Sequence, residues 1–369
     1  MNNQFIYPQQ FADLFIKQVP FLDVRAETEF LKGAFPGAVN LPLLIDNERE
    51  KVGICYKKKG QQAAIDLGHQ LVCGPTKNTR INAWIQFLET HPNAILYCFR
   101  GGMRSEIAQQ WLQEKGVKIA RIEGGYKALR NYLISVRESF LQKQQLIIVA
   151  GRTGTGKTRV IQAIPQNLDL EAYAHHRGSA FGQFPEPQPS QINFENRLSI
   201  DILKKQQTLG NKNIDFIVED ESRLIGRNAL PDDLRRKMAQ SPFVFIEEPI
   251  QSRIQVVIEE YVEQLSEMHL RKDPDRGWST YSEYMLNSLQ KITKRLGNEL
   301  TQSLLNEMKA ALQKQQRCAE TNQHAAWIEP LLTQYYDKMY DYQLNKKQQP
   351  CLFKGNRTDT IQFLLNHFL

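Results

Sequence analysis

Leu146-Ile147-Ile148-Val149-Ala150-Gly151-Arg152-Thr153-Gly154-Thr155-Gly156-Lys157-Thr158 decides the fold. The uninterrupted apolar run Leu146 to Ala150 predicts a strand buried on both faces, the kind found in parallel sheets covered by helices. The eight residues after it match Gly-x4-Gly-Lys-Ser/Thr in full, and Arg159-Val160-Ile161 opens a helix. Strand, glycine-rich loop and helix N-terminus together build a phosphate cradle. Gly151, Gly154 and Gly156 let the backbone turn tightly, and its N–H groups would hold two phosphates. Lys157 would neutralise them, and the Thr158 hydroxyl could ligate Mg²⁺. A glycine-rich turn without a ligand is the plain alternative, and the strand-loop-helix context counts against it.

The acidic partner of such a loop usually follows a second apolar strand. Ile214-Asp215-Phe216-Ile217-Val218 predicts that strand, and Glu219-Asp220-Glu221-Ser222 comes directly after it. Asp220 or Glu219 is the expected metal-facing residue; a solvated acidic turn is the plain reading. His176, Arg177 and Arg223 are further candidates for substrate or metal. The adjacent pair His175-His176 has no third ligand at metal spacing, so no metal site is certain and none of zinc is expected. Phe243-Val244-Phe245-Ile246 predicts another strand, and residues 252–320 read as helical, interrupted near Asp273-Pro274-Asp275-Arg276-Gly277.

Toward the N-terminus, Phe21-Leu22-Asp23-Val24, Ala94-Ile95-Leu96-Tyr97 and Lys118 to Ile122 predict strands. Helical patterns at 61–72, 79–89 and 105–115 alternate with them, which argues for a second parallel sheet. A polar-faced helix over 127–145 ends in Gln142-Lys143-Gln144-Gln145, the natural boundary. The expected division is therefore 1–137 and 138–369. In the first part, Cys98-Phe99-Arg100-Gly101-Gly102-Met103-Arg104-Ser105 joins a strand to a helix. Loop N–H groups, a helix N-terminus, Arg100 and Arg104 would all direct positive potential at the thiol, and such surroundings favour a nucleophilic thiolate. A buried packing cysteine beside a tight turn is the alternative.

Composition narrows the remaining choices. A chain of 369 residues suggests two domains at roughly 100–200 residues each. With 41% hydrophobic and 24% charged residues it reads as globular, excluding a mainly disordered chain. The net charge of +7 permits a polyanionic partner without requiring one. Lys57-Lys58-Lys59, Arg271-Lys272 and Lys291 to Arg295 are the basic clusters that could meet the phosphates of such a partner, and Trp278, Tyr281 and Tyr284 could stack on an unpaired base or form core. No apolar stretch is long enough to span a bilayer and the first residues do not resemble a signal peptide, so a cytoplasmic protein without membrane contact is expected. The five cysteines are scattered with no Cys-x-x-Cys, which indicates neither a disulfide framework nor a structural zinc site. Cys55 and Cys73 read as packing residues.

Leu22-Asp23-Val24-Arg25, Glu29-Phe30 and Gly33 to Pro42, taken with the Cys98 loop, resemble the rhodanese family. The resemblance implies a Cys98 that carries sulfur or selenium, although Ala34 stands where many members have histidine. Its order, followed by the phosphate loop, resembles the tRNA 2-selenouridine synthase family. So do the strings Leu67-Gly68-His69-Gln70-Leu71-Val72, Ala174-His175-His176-Arg177-Gly178-Ser179, Val218-Glu219-Asp220-Glu221-Ser222-Arg223 and Lys294-Arg295-Leu296-Gly297. That resemblance implies a rhodanese-like parallel-sheet domain followed by a P-loop NTPase-like α/β domain with a helical C-terminal extension. It implies an enzyme acting on the wobble 2-thiouridine of a tRNA anticodon stem-loop. The base would be S-geranylated from geranyl diphosphate, and selenium from selenophosphate would then replace the thiogeranyl group. Cys98 would accept selenium, with Arg100 and Arg104 holding the departing phosphate. No tightly bound cofactor is expected, whether Mg²⁺ is required at the phosphate loop stays open, and a monomer is expected. A sulfurtransferase fused to an ATP-dependent P-loop kinase shares every motif but needs no prenyl donor. A phosphate-sensing module would need no thiol.

Overall fold

A computed structural model describes residues 5–210 and 214–368. The chain divides into two compact units, Met1–Phe140 with Ser190–Asn211, and Leu141–Pro189 with Lys212–Leu369.

In the first unit, β1 (Phe5–Ile6), β2 (Phe21–Asp23), β3 (Ala38–Asn40), β4 (Ile95–Tyr97) and β5 (Arg121–Ile122) form a parallel sheet in the order β1-β5-β4-β2-β3. Strand pleating sends alternate side chains to opposite faces. Leu22, Val24, Leu96 and Cys98 enter one core with Trp84 and Trp111, while Phe21, Tyr97 and Ile122 enter the other with Phe11 and Leu133. Helices Gly74–Thr90 and Met103–Glu114 cover the first face.

The helix Gln191–Leu209 belongs to this unit, not to the second as the expected division at 137/138 had it. Ser190 caps it by accepting from Asn193 N at 3.2 Å. Its Ile192, Ile200 and Leu203 join the second core, and Asn193 and Asn196 bond both backbone groups of Ala34, at 2.7 and 2.9 Å. A segment that leaves one unit in sequence and packs on the other has no signature in linear order, because its apolar stripe would suit either sheet.

In the second unit, β6 (Leu146–Gly151), β7 (Asn167–Leu168), β8 (Phe216–Glu219), β11 (Phe243–Ile246) and β12 (Cys351–Gly355) form a parallel sheet ordered β12-β11-β6-β8-β7. Between β8 and β11 the chain makes a small antiparallel hairpin, β9 (Leu224–Ile225) and β10 (Asn228–Ala229). Every residue of central β6 is buried, as its apolar run predicts. The helical region starts at Ile250 and continues past the expected limit near 320 to Leu344. The chain then returns to the sheet as β12 and ends in helix Arg357–Phe368. Two π-helical turns, Ile258–Glu263 and Leu332–Tyr336, interrupt the helices. Tyr281 is fully buried, and Trp278 and Tyr284 pack against the same core, so these aromatics are structural. Among the described residues, no helix is long and apolar enough to cross a membrane.

Candidate functional sites

In the first unit, Cys98 follows β4 at the carboxyl edge of the sheet, where open α/β folds take their ligands. Its thiol is 3% exposed and donates to Ser105 Oγ at 3.2 Å, with the Gly102 carbonyl at 3.8 Å. The loop is braced from behind. Tyr126 N donates to the Cys98 carbonyl at 2.8 Å, and Lys127 N to that of Phe99 at 3.0 Å. Gly101 has φ +67, and a Cβ there would lie 2.7 Å from the Ile122 carbonyl and 2.8 Å from Gly124 N, so only glycine fits. Arg100 is exposed beside the loop. Arg104 is held by Glu29 at 2.5 and 3.1 Å, and Glu29 also meets Arg49 at 3.1 Å. Burial alone would raise the Glu29 carboxyl, but the bonds and charge of Arg104, then Arg49, hold it below its usual range. Arg104 is therefore a pre-set cation beside the thiol. Beneath the loop, Arg25 and Asp23 form a buried pair at 2.6 Å, with Arg25 stacked 3.8 Å over Tyr126.

In the second unit, the phosphate loop leaves β6 as expected. Gly154 and Gly156 adopt φ +82 and +75, which favour glycine. Lys157 Nζ donates to the Gly151 carbonyl at 2.8 Å. Thr158 Oγ1 donates to Glu171 Oε2 at 3.1 Å, and Glu171 N donates to Glu219 Oε1 at 2.7 Å. Glu171, Glu219 and Glu221 each bring one oxygen within 4.8 Å of the others, an arrangement that could hold a divalent cation beside Thr158. Glu219, one of the two acids named as candidates, belongs to this trio. Asp220 turns away: Lys347 donates to it at 2.9 Å and Tyr340 at 3.1 Å. Glu171 and Glu221 went unforeseen. Glu221 sits one residue past the expected pair, and Glu171 comes from a helix at Leu170–Ala174 that carries no motif.

Other loop-side groups come from the far end of the chain. Tyr340 Oη accepts from Gly151 N at 2.7 Å. Arg253 donates to the Thr153 carbonyl at 2.9 Å and forms two bonds with Asp337. Arg357 lies against Gly156, 3.2 Å from where a Cβ would be. A polar cleft of about 630 Å³ opens beside Thr158 and Glu171, walled by Arg159, His175 and Arg177. Arg177 is fixed there by the Glu260 carbonyl at 2.5 Å and Gln264 at 3.0 Å. His176 is buried, accepts from Gly178 N at 3.1 Å, and is pushed down to about 4 by burial and then by His175. It is neutral at ordinary pH and serves the turn. Arg223 is exposed and makes no ion pair with the acidic trio among the described residues.

Burial, then mutual repulsion, raises Glu171 to about 8; burial raises Glu221 to about 7, and Glu219 goes well above its ordinary value. Lys157 opposes the shift in Glu171 and Glu221. An acid with a raised folded pKa contributes stability below its unfolded value of 4.5 and loses it as pH rises through the folded value. The melting temperature without divalent cation should therefore fall from about pH 5 to about pH 8. Adding Mg²⁺ should recover part of the loss at the upper end only, because binding there releases few protons. A Glu171→Gln/Glu221→Gln double variant should flatten both trends; a variant keeping the wild-type profile would refute the account.

Residues 144–368 match the family described as the tRNA 2-selenouridine synthase AAA domain, and residues 7–132 match the rhodanese-like domain. The tRNA 2-selenouridine synthase of Marinobacter nauticus is 49% identical over 346 residues, 94% of each chain. That of Shewanella sp. (strain MR-7) is 48% identical over 368 residues, 100% of this chain and 99% of the relative. That of Pseudomonas syringae pv. syringae is 47% identical over 352 residues, 95% of each.

Proposed function

Because the chain belongs to the tRNA 2-selenouridine synthase family, we propose that it converts wobble 2-thiouridine to 2-selenouridine by way of an S-geranyl intermediate. The observation that carries this reading is one chain holding both a thiol set against a fixed arginine and a phosphate loop set against a carboxylate trio. Sulfur at C2 of the base attacks C1 of geranyl diphosphate. The C1–O bond breaks, its electron pair leaves on diphosphate, and the base loses its N3 proton. Lys157 and the loop N–H groups receive the diphosphate, and Glu171, Glu219, Glu221 and Thr158 would hold an Mg²⁺ that screens it. Alkylation turns sulfur into a leaving group.

Electron balance decides how Cys98 takes part in the second step. Selenophosphate carries selenium at the selenide level. Moving selenium alone onto Cys98, as the rhodanese resemblance implies, would leave an electron pair on phosphorus and yield phosphite. Substitution at carbon avoids this. Cys98 Sγ attacks C2, geranylthiolate leaves, and selenophosphate then displaces the cysteine through selenium. Water cleaves the Se–P bond and phosphate departs. Ser105 can turn its hydroxyl toward the departing thiolate, while Arg104 and Arg100 face the phosphate.

The test is an anticodon stem-loop containing 2-thiouridine, incubated with selenophosphate with and without geranyl diphosphate and analysed as nucleosides by mass spectrometry. 2-Selenouridine that forms only with the prenyl donor is the expected result. ATP hydrolysis without a modified nucleoside would favour the sulfurtransferase–kinase fusion instead.

A further inference from the structure

The first unit contains an apolar pocket of about 110 Å³ that no step so far uses. Met103, Ile107 and Trp111, spaced four apart on the helix that follows the cysteine loop, form one wall. The opposite wall is the helix Asp46–Leu71, which Gly60 breaks with φ 84, so that Val52 and Tyr56 on one half and Ala64 on the other all line the space. The deep end is closed, with Trp111 5% and Ala64 4% exposed, whereas Tyr56 is 57% and Met103 37% exposed at the mouth. Gln61 spans that mouth, donating to Met103 Sδ at 3.6 Å. Arg104 lines the pocket and is also the cation whose charge reaches Cys98.

Protein interiors are close-packed, and a void of this size lined by carbon holds water poorly, because a buried water needs two to four polar partners. An engineered dry cavity of roughly 150 Å³ takes benzene. A void somewhat smaller fits one isoprene unit, with the rest of a chain lying in the open mouth. We infer that this pocket seats the prenyl chain of the S-geranylated base while Cys98 works on C2. The inference rests on the prenyl route proposed above. In the exchange the C2–S bond to the prenyl sulfur breaks and its electron pair leaves on geranylthiolate, which takes a proton from water. The new bond at C2 forms to Cys98 Sγ and then to selenium. The pocket anchors the half of the substrate that departs and thereby sets C2 at the thiol.

Stem-loops carrying S-geranyl- or S-dimethylallyl-2-thiouridine test this with selenophosphate alone, the readout being the ratio of their kcat/KM values. Wild-type protein should favour the geranyl substrate. Ala64→Phe, which fills the deep end, should shrink that preference about tenfold or more. Ile107→Ala, which widens the pocket, should move the preference toward a farnesyl chain. A cooperative thermal transition within a few degrees of wild type reports whether each variant is folded; if Ala64→Phe is not, Ile107→Ala decides. The same chain-length ratio in wild type and folded variants would overturn the pocket while leaving the prenyl route standing. Direct selenation of 2-thiouridine with no turnover of either S-alkyl substrate would overturn the route, and the pocket with it.

Discussion

Cys98→Ser should stop formation of 2-selenouridine while S-geranyl-2-thiouridine still accumulates. A serine hydroxyl is a far weaker nucleophile at neutral pH, and loss of an attacking group costs on the order of 10³-fold or more in turnover. The fold should tolerate the change. Cys98 is buried and already donates to Ser105 Oγ, and a serine hydroxyl at that place can donate to the same acceptor. A melting temperature within a few degrees of wild type is expected, since one small hydrogen-bonding exchange is worth about 1 kcal/mol or less. A second readout separates the two roles open to the thiol. Wild-type protein given S-geranylated stem-loop but no selenophosphate should form an RNA adduct on the Cys98 peptide. Selenium found on that peptide with selenophosphate alone, and no RNA adduct, would restore the selenium-carrier role that the rhodanese resemblance implied. Loss of geranylation in folded Cys98→Ser would show that the two steps are not divided between the loops.

The parts of this molecule that the linear chain discloses are those made of adjacent residues. β6 and its loop form one run in which apolar strand, glycine turn and helix start are contiguous, and the structure places them as read. The same holds for β4 and the cysteine loop. Groups that converge from distant positions were not legible. Tyr340, Arg253 and Arg357 reach the phosphate loop from segments 100 or more residues away, and each lies in a stretch that reads as ordinary helix or strand end. Glu171 carries no signal because a lone acid in a short helix is common. β12 escaped notice for a related reason: Cys351-Leu352-Phe353-Lys354-Gly355 is a partly exposed edge strand, so it lacks the all-apolar run that marked β6. Asp220 shows the limit of motif placement. Neighbouring residues at the end of a strand point to opposite sides, so Glu219, the last of β8, enters the trio while Asp220 meets Lys347 and Tyr340.

Lys157→Ala should have the complementary effect, removing geranylation while sparing selenation of a stem-loop that is already S-geranylated. Its ammonium now donates to the Gly151 carbonyl and lies 5.9 Å from the Tyr340 ring, held at the loop and able to turn to an incoming diphosphate. Removing one pre-set group that stabilises developing charge costs about 10²–10³-fold in turnover. A second consequence follows from the trio. Lys157 is the cation that draws Glu171 and Glu221 downward, so without it both carboxyls rise further and are more fully protonated near neutrality. Mg²⁺ must then displace more protons to bind, so the variant should need more of the ion. Raising the pH should recover part of the affinity but not the lost charge on the diphosphate. Lys157→Arg separates these effects, because it keeps the charge beside Glu171 while changing the geometry at the phosphates. Arginine should therefore restore the Mg²⁺ requirement more fully than it restores turnover. Equal loss of both steps in folded Lys157→Ala would mean that the phosphate loop also serves selenium transfer.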